Sequence, residues 1–582
     1  MNPSKHKLVA LFAIHSAMLS ACKTTSSYTN PDNQLKMELV ARYTSGQFGE
    51  GAAEVLAYDK QRQSLYVVNG AAKAIDIIPL SKMPTTKLSL PYTGSNLASQ
   101  RLELPISIST ATQQDIALGS PNSLAIHDNT LAVAVENKNK QKQGVVLFYS
   151  LSGGQPALSK AVSVGALPDM VTFSHDGSKV LVANEGEPSK DYKQDPEGSV
   201  SIIMTAPRIA NEAITLGFTA FNSQRDNLMA TGVKFACPQT TTVAQDLEPE
   251  YITISPDDST AFVSLQENNA MAVVDLQSFS IKSVKGLGYK DWNQYSIDVS
   301  NKDGINLSRY ENLYGLYQPD SLASYQVNGK TYILSANEGD AREYIYEATE
   351  AECKAAGHKY DDEDGCISYT EEFRAKKLSI KSPSIIDSYY QKDGIGRLKV
   401  TNVLGDEDGD GLYEKLYSFG ARSFSIWSPD AELVYDSGDE FDRILLEHHG
   451  DNFNNNESEN KGDNRSDDKG SEPEAITVGQ INGRPYAFIG LERQGGIMAY
   501  DIGQPHAPKF SGYTINRNFD LEFEIDDDTS PVSLSGDYTK VGDLAPEGLT
   551  FIDAETSPNG QPLLAVANEV SGSVSIYQLS AP

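Results

Sequence analysis

Apolar residues along this chain come in short alternating runs flanked by turn residues, and they seldom extend into the longer stripes that a helix requires. Ser64–Val68, Leu131–Val135, Lys179–Ala183 and Thr331–Ser335 are each of strand length. Ser174-His175-Asp176-Gly177 and Ser255-Pro256-Asp257-Asp258 supply turn chemistry between consecutive runs, where hairpins need it. The pattern predicts an all-β protein.

The runs also repeat. A proline followed by an acid or amide opens a β-rich stretch at Pro121-Asn122, Pro168-Asp169, Pro249-Glu250, Pro319-Asp320, Pro473-Glu474 and Pro546-Glu547, and Glu54 opens a further copy that lacks the proline. In each copy the second strand runs into another polar residue: Asn69, Glu136, Glu185, Glu267, Glu338, Glu492 and Glu569. Self-similarity of this kind marks a unit that cannot bury its apolar face alone. Seven copies predict a seven-bladed β-propeller over residues 35–582, in which Leu35–Tyr43 completes the sheet holding Leu563–Ala567 and Ser573–Gln578. Closure of that kind removes free sheet edges.

The interval from Pro319 to Pro473 is too long for one blade, so blade five must carry long acidic insertions. Ser423–Trp427 and Glu432–Tyr435 read as its outer hairpin, and the interval leaves room for an eighth blade. The stretch from His448 to Ser471 is either a disordered tip or a loop ordered by ions.

A formal charge of −31 and a pI near 4.6 exclude a phosphate-backbone partner, so no nucleic acid is expected, and they favour cations. Solubility of a secreted protein accounts for the charge equally well. Lys5, His6 and Lys7 precede the apolar run Leu8–Leu19 and then Leu19-Ser20-Ala21-Cys22. Residues 1–22 thus resemble a bacterial lipoprotein signal with Cys22 as the lipidated residue and 23–34 as a polar tether. Lys23 after the cysteine favours the outer membrane, so the membrane is an expected partner through the lipid. In an oxidising compartment Cys353 and Cys366 are expected to pair, leaving Cys237 free.

Three sets of residues carry candidate chemistry. Asp406, Asp408 and Asp410 alternate with Gly409 and Gly411 as in a calcium loop, although Glu414 comes too early for the twelfth position of an EF-hand. Asn184-Glu185-Gly186-Glu187-Pro188 and Asn337-Glu338-Gly339-Asp340 each end a strand in a glycine-relaxed loop with two carboxylates, suited to calcium or to a phosphate held through it. The blade-opening residues Glu54, Asn122, Asp169, Glu250, Asp320, Glu474 and Glu547 would line the channel, where so many acids cannot all stay ionised without counter-charge. Metal, or Arg342, Arg422, Lys469 and Arg493, would supply it; alternatively each acid caps its own blade. No phosphate-binding glycine loop, Gly-x-Ser-x-Gly elbow or His-Glu-x-x-His pair occurs. His448 and His449 read as exposed members of a polar loop.

Gly165-Ala166-Leu167-Pro168-Asp169, Val182–Pro188, Asp246–Ile252, Gly420–Trp427, Ser466–Gly470 and Gly490-Leu491-Glu492-Arg493 resemble the choice-of-anchor I family of bacterial surface proteins. That domain is similar to animal mesenchyme-specific cell-surface glycoproteins and to proteins described as atypical alkaline phosphatases. Ser471-Glu472-Pro473-Glu474 departs from the family's Pro-Glu-Pro-Glu but keeps both acids. The resemblance implies metal-dependent phosphoester hydrolysis with calcium, room for a second metal, and Arg342, Arg422 or Arg493 against the phosphoryl oxygens. The alternative is a non-catalytic module that binds calcium, mineral, glycan or a protein partner. Convergence of the arginines on one cavity separates the two readings.

Overall fold

A computed structural model describes residues 34–582 apart from 85, 239, 363–364, 382–392 and 527–528; Cys22 and the leader lie outside the described residues. Seven sheets of four or five strands begin with Leu56–Asp59, Ile116–His127, Pro168–Phe173, Ile252–Ile254, Leu322–Val327, Pro473–Ile481 and Pro546–Ile552, the second of them after the short strand Ser107–Ile108. These opening strands contact one another in chain order, and the last contacts the first. The sheets therefore close into a propeller ring.

Lys36–Thr44 pairs antiparallel with Ser573–Ser580, from Lys36 opposite Ser580 to Thr44 opposite Ser573, as the outer strand of the sheet begun at Pro546. The N-terminal strand and the C-terminal strand thus hold the ring shut.

The second strands carry apolar residues at both parities instead of alternating strictly with polar ones, for a reason that the last of them shows. Leu563–Asn568 is buried at every position. Leu563, Ala565 and Ala567 join the core shared with Leu65 and Val67, whereas Leu564 and Val566 join the one shared with Phe488 and Ala499. Both faces of the strand are covered by neighbouring sheets, so both parities must be hydrophobic. The same rule places Leu334 against Ala487 and Ile333 against Phe262.

Between the fourth and sixth sheets the chain builds two further sheets beside the ring. One joins Tyr289–Asp291, Leu313–Leu316, Leu416–Ser418, Lys399–Thr401 and Glu372–Arg374, with Leu313–Leu316 parallel to Leu416–Ser418, over a core containing Trp292 and Leu398. The segment that precedes Pro319 therefore contributes as well as the one that follows it. The other sheet, Glu343–Tyr346, Gly365–Thr370 and Lys359–Asp361, is joined to the helix Glu350–Ala356 by the disulfide Cys353–Cys366. Ser423–Trp427 and Leu433–Asp436 complete the fifth blade. His448 and His449 end a helix, Glu440–His449, which corrects the loop expected there: Phe441, Ile444 and Leu445 dock in the core, and His449 Nε2 is 3.0 Å from the Tyr513 hydroxyl. Among the described residues no helix is long and apolar enough to cross a membrane.

Candidate functional site

Four of the blade-opening residues are aimed by β-bulges. Strand register jumps from Pro121 to Ser123, from Pro168 to Met170, from Pro473 to Ile476 and from Pro546 to Gly548. Asn122, Asp169, Glu474 and Glu547 are thereby left out of the ladder, and an unpaired bulge residue turns its side chain away from its neighbours' alternation. The residue just before the proline has positive φ at Leu167 (47°), Gln318 (40°), Glu472 (51°) and Ala545 (57°), an uncommon state for a side chain with a Cβ. Adjacent blades pin several of these corners. Asn122 Nδ2 donates to the Pro168 carbonyl at 3.1 Å, Ser264 Oγ to the Asp320 carbonyl at 3.1 Å, and Ser321 Oγ to the Glu474 carbonyl.

The second polar position is set by an amide that absorbs the local capping. Asn184, Asn337 and Asn568 end their strands buried. Asn184 Oδ1 accepts from the Gly165 N–H at 3.0 Å while its Nδ2 donates to Ser201 Oγ at 3.0 Å. Glu185, Glu338 and Glu569 follow these amides and project beyond the strand ends.

Together the two positions bring six acids from the first set and six from the second to one end of the channel. Glu54 feels Glu569 and Asp169; Asp320 feels Glu338 and Asp169; Glu547 feels Glu54, Glu492 and Asp320. Burial first, and these neighbours second, push Glu185, Glu250, Asp320, Glu474 and Glu547 well above the usual carboxylate range. Burial and then Glu569 raise Glu54 to about 9, whereas Lys140 opposes burial at Asp169 and leaves it at about 6. One oxygen each of Glu250, Glu474 and Glu547 is buried without a hydrogen-bond partner. Each of these three acids therefore keeps one buried oxygen that no cap satisfies.

The cations are distributed unevenly. Arg342, fully buried, pairs with Glu248, donates to the Asp246 carbonyl at 2.8 Å and approaches Glu267 only to 3.9 Å. Lys469 Nζ lies 2.7 Å from Glu338, 3.2 Å from Glu472 and 3.6 Å from Asp340. Arg493 pairs with Glu457, with Glu472 at 3.0 Å and with Glu492 at 3.2 Å, and Arg465 adds 2.6 Å to Glu472. Burial alone would raise Glu472, but Arg465, Lys469 and Arg493 outweigh it and hold this carboxyl below its usual range.

Arg422 is occupied elsewhere. It donates to the carbonyls of Asp298 (3.0 Å), Ser466 (2.9 Å) and Asp468 (2.7 Å) and pairs with Asp442 at 3.7 Å. It clamps the 450–471 segment, which packs through buried Asn455, Ser466 and Ser471 and meets the five-stranded sheet beside the ring, with the Lys399 N–H donating to the Asp467 carbonyl at 3.0 Å. The three arginines thus serve separate ion networks.

The Asp406 loop is exposed. Asp406 accepts from the Gly409, Asp410 and Gly411 N–H groups, at 2.8, 3.1 and 2.9 Å. Oxygens of Asp406, Asp408 and Glu414 converge, so Glu414 belongs to the group despite its short spacing. Lys381 Nζ reaches Asp408 at 2.7 Å, Asp410 at 3.1 Å and Glu414 at 3.0 Å.

A cavity of 1020 Å³ runs down the channel from the acidic end, with Glu54, Glu136, Asp169, Glu185 and Glu187, to Tyr58, Phe173 and His175 at the other ends of the opening strands. Lys140 lines it at 3.6 Å from Glu136, its side chain half exposed. Sequence reasoning missed Lys140 and Glu248, while Glu472 was retained as an acid of the family's motif. The acids on both sides of Pro249 were the available signal for Glu248.

The choice-of-anchor I domain model matches residues 54–505. Gigasin-3a of Magallana gigas is 30% identical over 218 residues, which cover 34% of this chain and 68% of that protein. The mesenchyme-specific cell surface glycoprotein of Strongylocentrotus purpuratus is 27% identical over 238 residues, 37% of this chain and 30% of that protein. Among solved structures, Kuenenia stuttgartiensis hydrazine synthase aligns at a TM-score of 0.42 and 12% identity, covering 93% of this chain and all (100%) of that one. Streptogramin B lyase aligns at 0.39 and 8%, covering 94% of this chain and 98% of that one.

Proposed function

This chain belongs to the choice-of-anchor I family, and from that premise we propose that it is a lipid-anchored propeller of the bacterial cell envelope that binds calcium at the acidic end of its channel. The observation that carries the reading is the set of buried carboxylate oxygens on Glu250, Glu474 and Glu547 that have no hydrogen-bond partner, within a ring whose acids outnumber the cations facing it. A hard cation with several oxygen ligands relieves both deficits at once. The basic start, the apolar run and Cys22 support anchorage through lipid, facing the periplasm or the exterior.

Binding without turnover is favoured over hydrolysis because Arg342, Arg422 and Arg493 each sit in a separate network of carboxylates and carbonyls. One observation supports metal-dependent phosphoester hydrolysis as the second reading: Lys140 lines the cavity beside Glu136 and retains exposed surface for an anion. Metal analysis and calorimetric titration with calcium of the chain from Lys23 onward, alongside turnover of a generic phosphomonoester, test both. At least one calcium per chain with no turnover above a blank is expected. Absence of calcium uptake at millimolar concentration refutes the binding reading, and calcium-dependent turnover moves the assignment to hydrolysis.

A further inference from the structure

The repeat brings three acids together at two places of the channel mouth. At the boundary of the third and fourth blades, Glu185, Glu250 and Glu267 each bring an oxygen within 4.8 Å of the other two. At the boundary of the fifth and sixth, Glu338, Glu472 and Glu492 do the same. Glu185 and Glu338 follow equivalent Ala-Asn pairs and Glu267 and Glu492 follow second strands, whereas the third acids differ: Leu247-Glu248-Pro249-Glu250 contributes the acid after its proline and Ser471-Glu472-Pro473-Glu474 the acid before it.

Their counter-charge differs. In the second place the Lys469 ammonium lies against Glu338 and Glu472, and Arg493 covers Glu492. Lys469 stands four residues before Pro473, and the residue four before Pro249 is Gln245. Gln245 is neutral and turned away: its Oε1 accepts from the Thr242 N–H at 3.1 Å and its Nε2 donates to the Asp195 carbonyl at 2.8 Å. Arg342 is drawn onto Glu248 instead and stops 3.9 Å short of Glu267. Glu267 is only 7% exposed, yet its Oε2 has no hydrogen-bond partner, and neither has Glu250 Oε2. A buried carboxylate oxygen left this way is costly, and at the related boundary two blades away a lysine ammonium lies against two of the three acids.

We propose that Glu185, Glu250 and Glu267 form a site for a divalent cation of the calcium class, the ion supplying counter-charge to these acids as the Lys469 ammonium does to Glu338 and Glu472. The claim rests on the calcium-binding reading above and fixes where the ion sits. All three ligands are hard oxygens with three formal negative charges, which matches calcium and excludes a thiolate- or imidazole-seeking metal. Glu185 and Glu187 line the cavity, so the ion enters from the channel and keeps water on that side.

The probe is calcium alone, titrated calorimetrically into chelator-stripped, desalted chain from Lys23 onward. Glu267→Gln and Glu250→Gln are each expected to weaken binding on the order of 10–100-fold, while the exposed-helix control Glu350→Gln titrates like the parent. Unfolding midpoints in chelator should stay level or rise, since each change removes a repelling charge. If Glu267→Gln does not fold, half-buried Glu185→Gln gives the same readout. A parent that binds calcium and variants that bind it unchanged overturn this site and leave the broader reading intact. A parent that takes up no calcium overturns both.

Discussion

Replacing Lys469 by methionine isolates the role of its charge, because the unbranched stem is nearly preserved while the ammonium is lost. In the parent, Nζ contacts Glu338 at 2.7 Å and Glu472 at 3.2 Å, and the side chain is 12% exposed. Removing one partner of a buried ion pair costs about 3–5 kcal/mol. Glu472 keeps Arg465 and Arg493, and Glu338 keeps the Gln266 amide at 2.8 Å, so the lower end applies, about 3 kcal/mol. A propeller of about 550 residues unfolds with an entropy on the order of 1.2 kcal/mol/K, which converts that loss into a fall in Tm of about 2–3 °C in chelator. Lys469→Met also vacates a place surrounded by Glu338, Glu472 and Glu492. At a hundredfold excess over Kd, calcium binding there restores about 2.7 kcal/mol, nearly the whole deficit. Scanning calorimetry with chelator and with calcium should show the fall only in chelator, and titration should count one more calcium than in the parent. A fall of equal size under both conditions, with unchanged stoichiometry, refutes the idea that the ammonium stands where an ion would.

The ring also fixes the direction of the pH response. Glu54, raised to about 9, and Asp169, raised to about 6, are protonated more readily folded than unfolded. Their stabilising contribution is complete below the ordinary carboxylate range and is lost as pH climbs through about 6 and on towards 9. Stripped of metal, the chain should therefore lose Tm steadily over that interval, and calcium should flatten the curve; a Tm that rises with pH contradicts the assignment. Arg422→Ala should lower stability by about 3–5 kcal/mol and open the 450–471 segment to protease, with calcium affinity unchanged; unchanged stability would return Arg422 to the catalytic candidates. Lys381→Ala should raise calcium affinity at the Asp406 loop without moving the unfolding midpoint, which terbium titration of parent and variant resolves.

Much of the architecture was legible because its cause is periodic. Six of the seven units open on a proline and a polar residue, and the second strands carry apolar residues on both parities because sheets cover both faces, as at Leu563–Ala567. The closing strand was readable for the same reason: Lys36–Thr44 has no partner near it in sequence, and the sheet begun at Pro546 needed an outer edge. What escaped was set by single contacts. Whether His448 and His449 lie in a loop or end a helix is decided by Phe441, Ile444 and Leu445 docking in the core, a tertiary choice made several residues away. The convergence of the acids was foreseeable from the repeat, whereas the bulges that aim Asn122, Asp169, Glu474 and Glu547 depend on register jumps that leave no mark beyond the proline.

The departures from the repeat are where function can be located. A symmetric ring of acids repels itself equally everywhere, and the fold alone gives no boundary preference for a ligand. Insertions break that equality. The long segment before Pro473 delivers Arg465 and Lys469 to the Glu472 side, and the insertion after Glu338 delivers Arg342 to Glu248. The first delivery neutralises its three acids, while the second pairs with Glu248, reaches Glu267 only at 3.9 Å and leaves one oxygen each of Glu250 and Glu267 without a hydrogen bond. Charge balance, more than shape, thus selects one blade boundary of the channel mouth. A calcium ion there would complete on one side of the ring what lysine and arginine complete on the other.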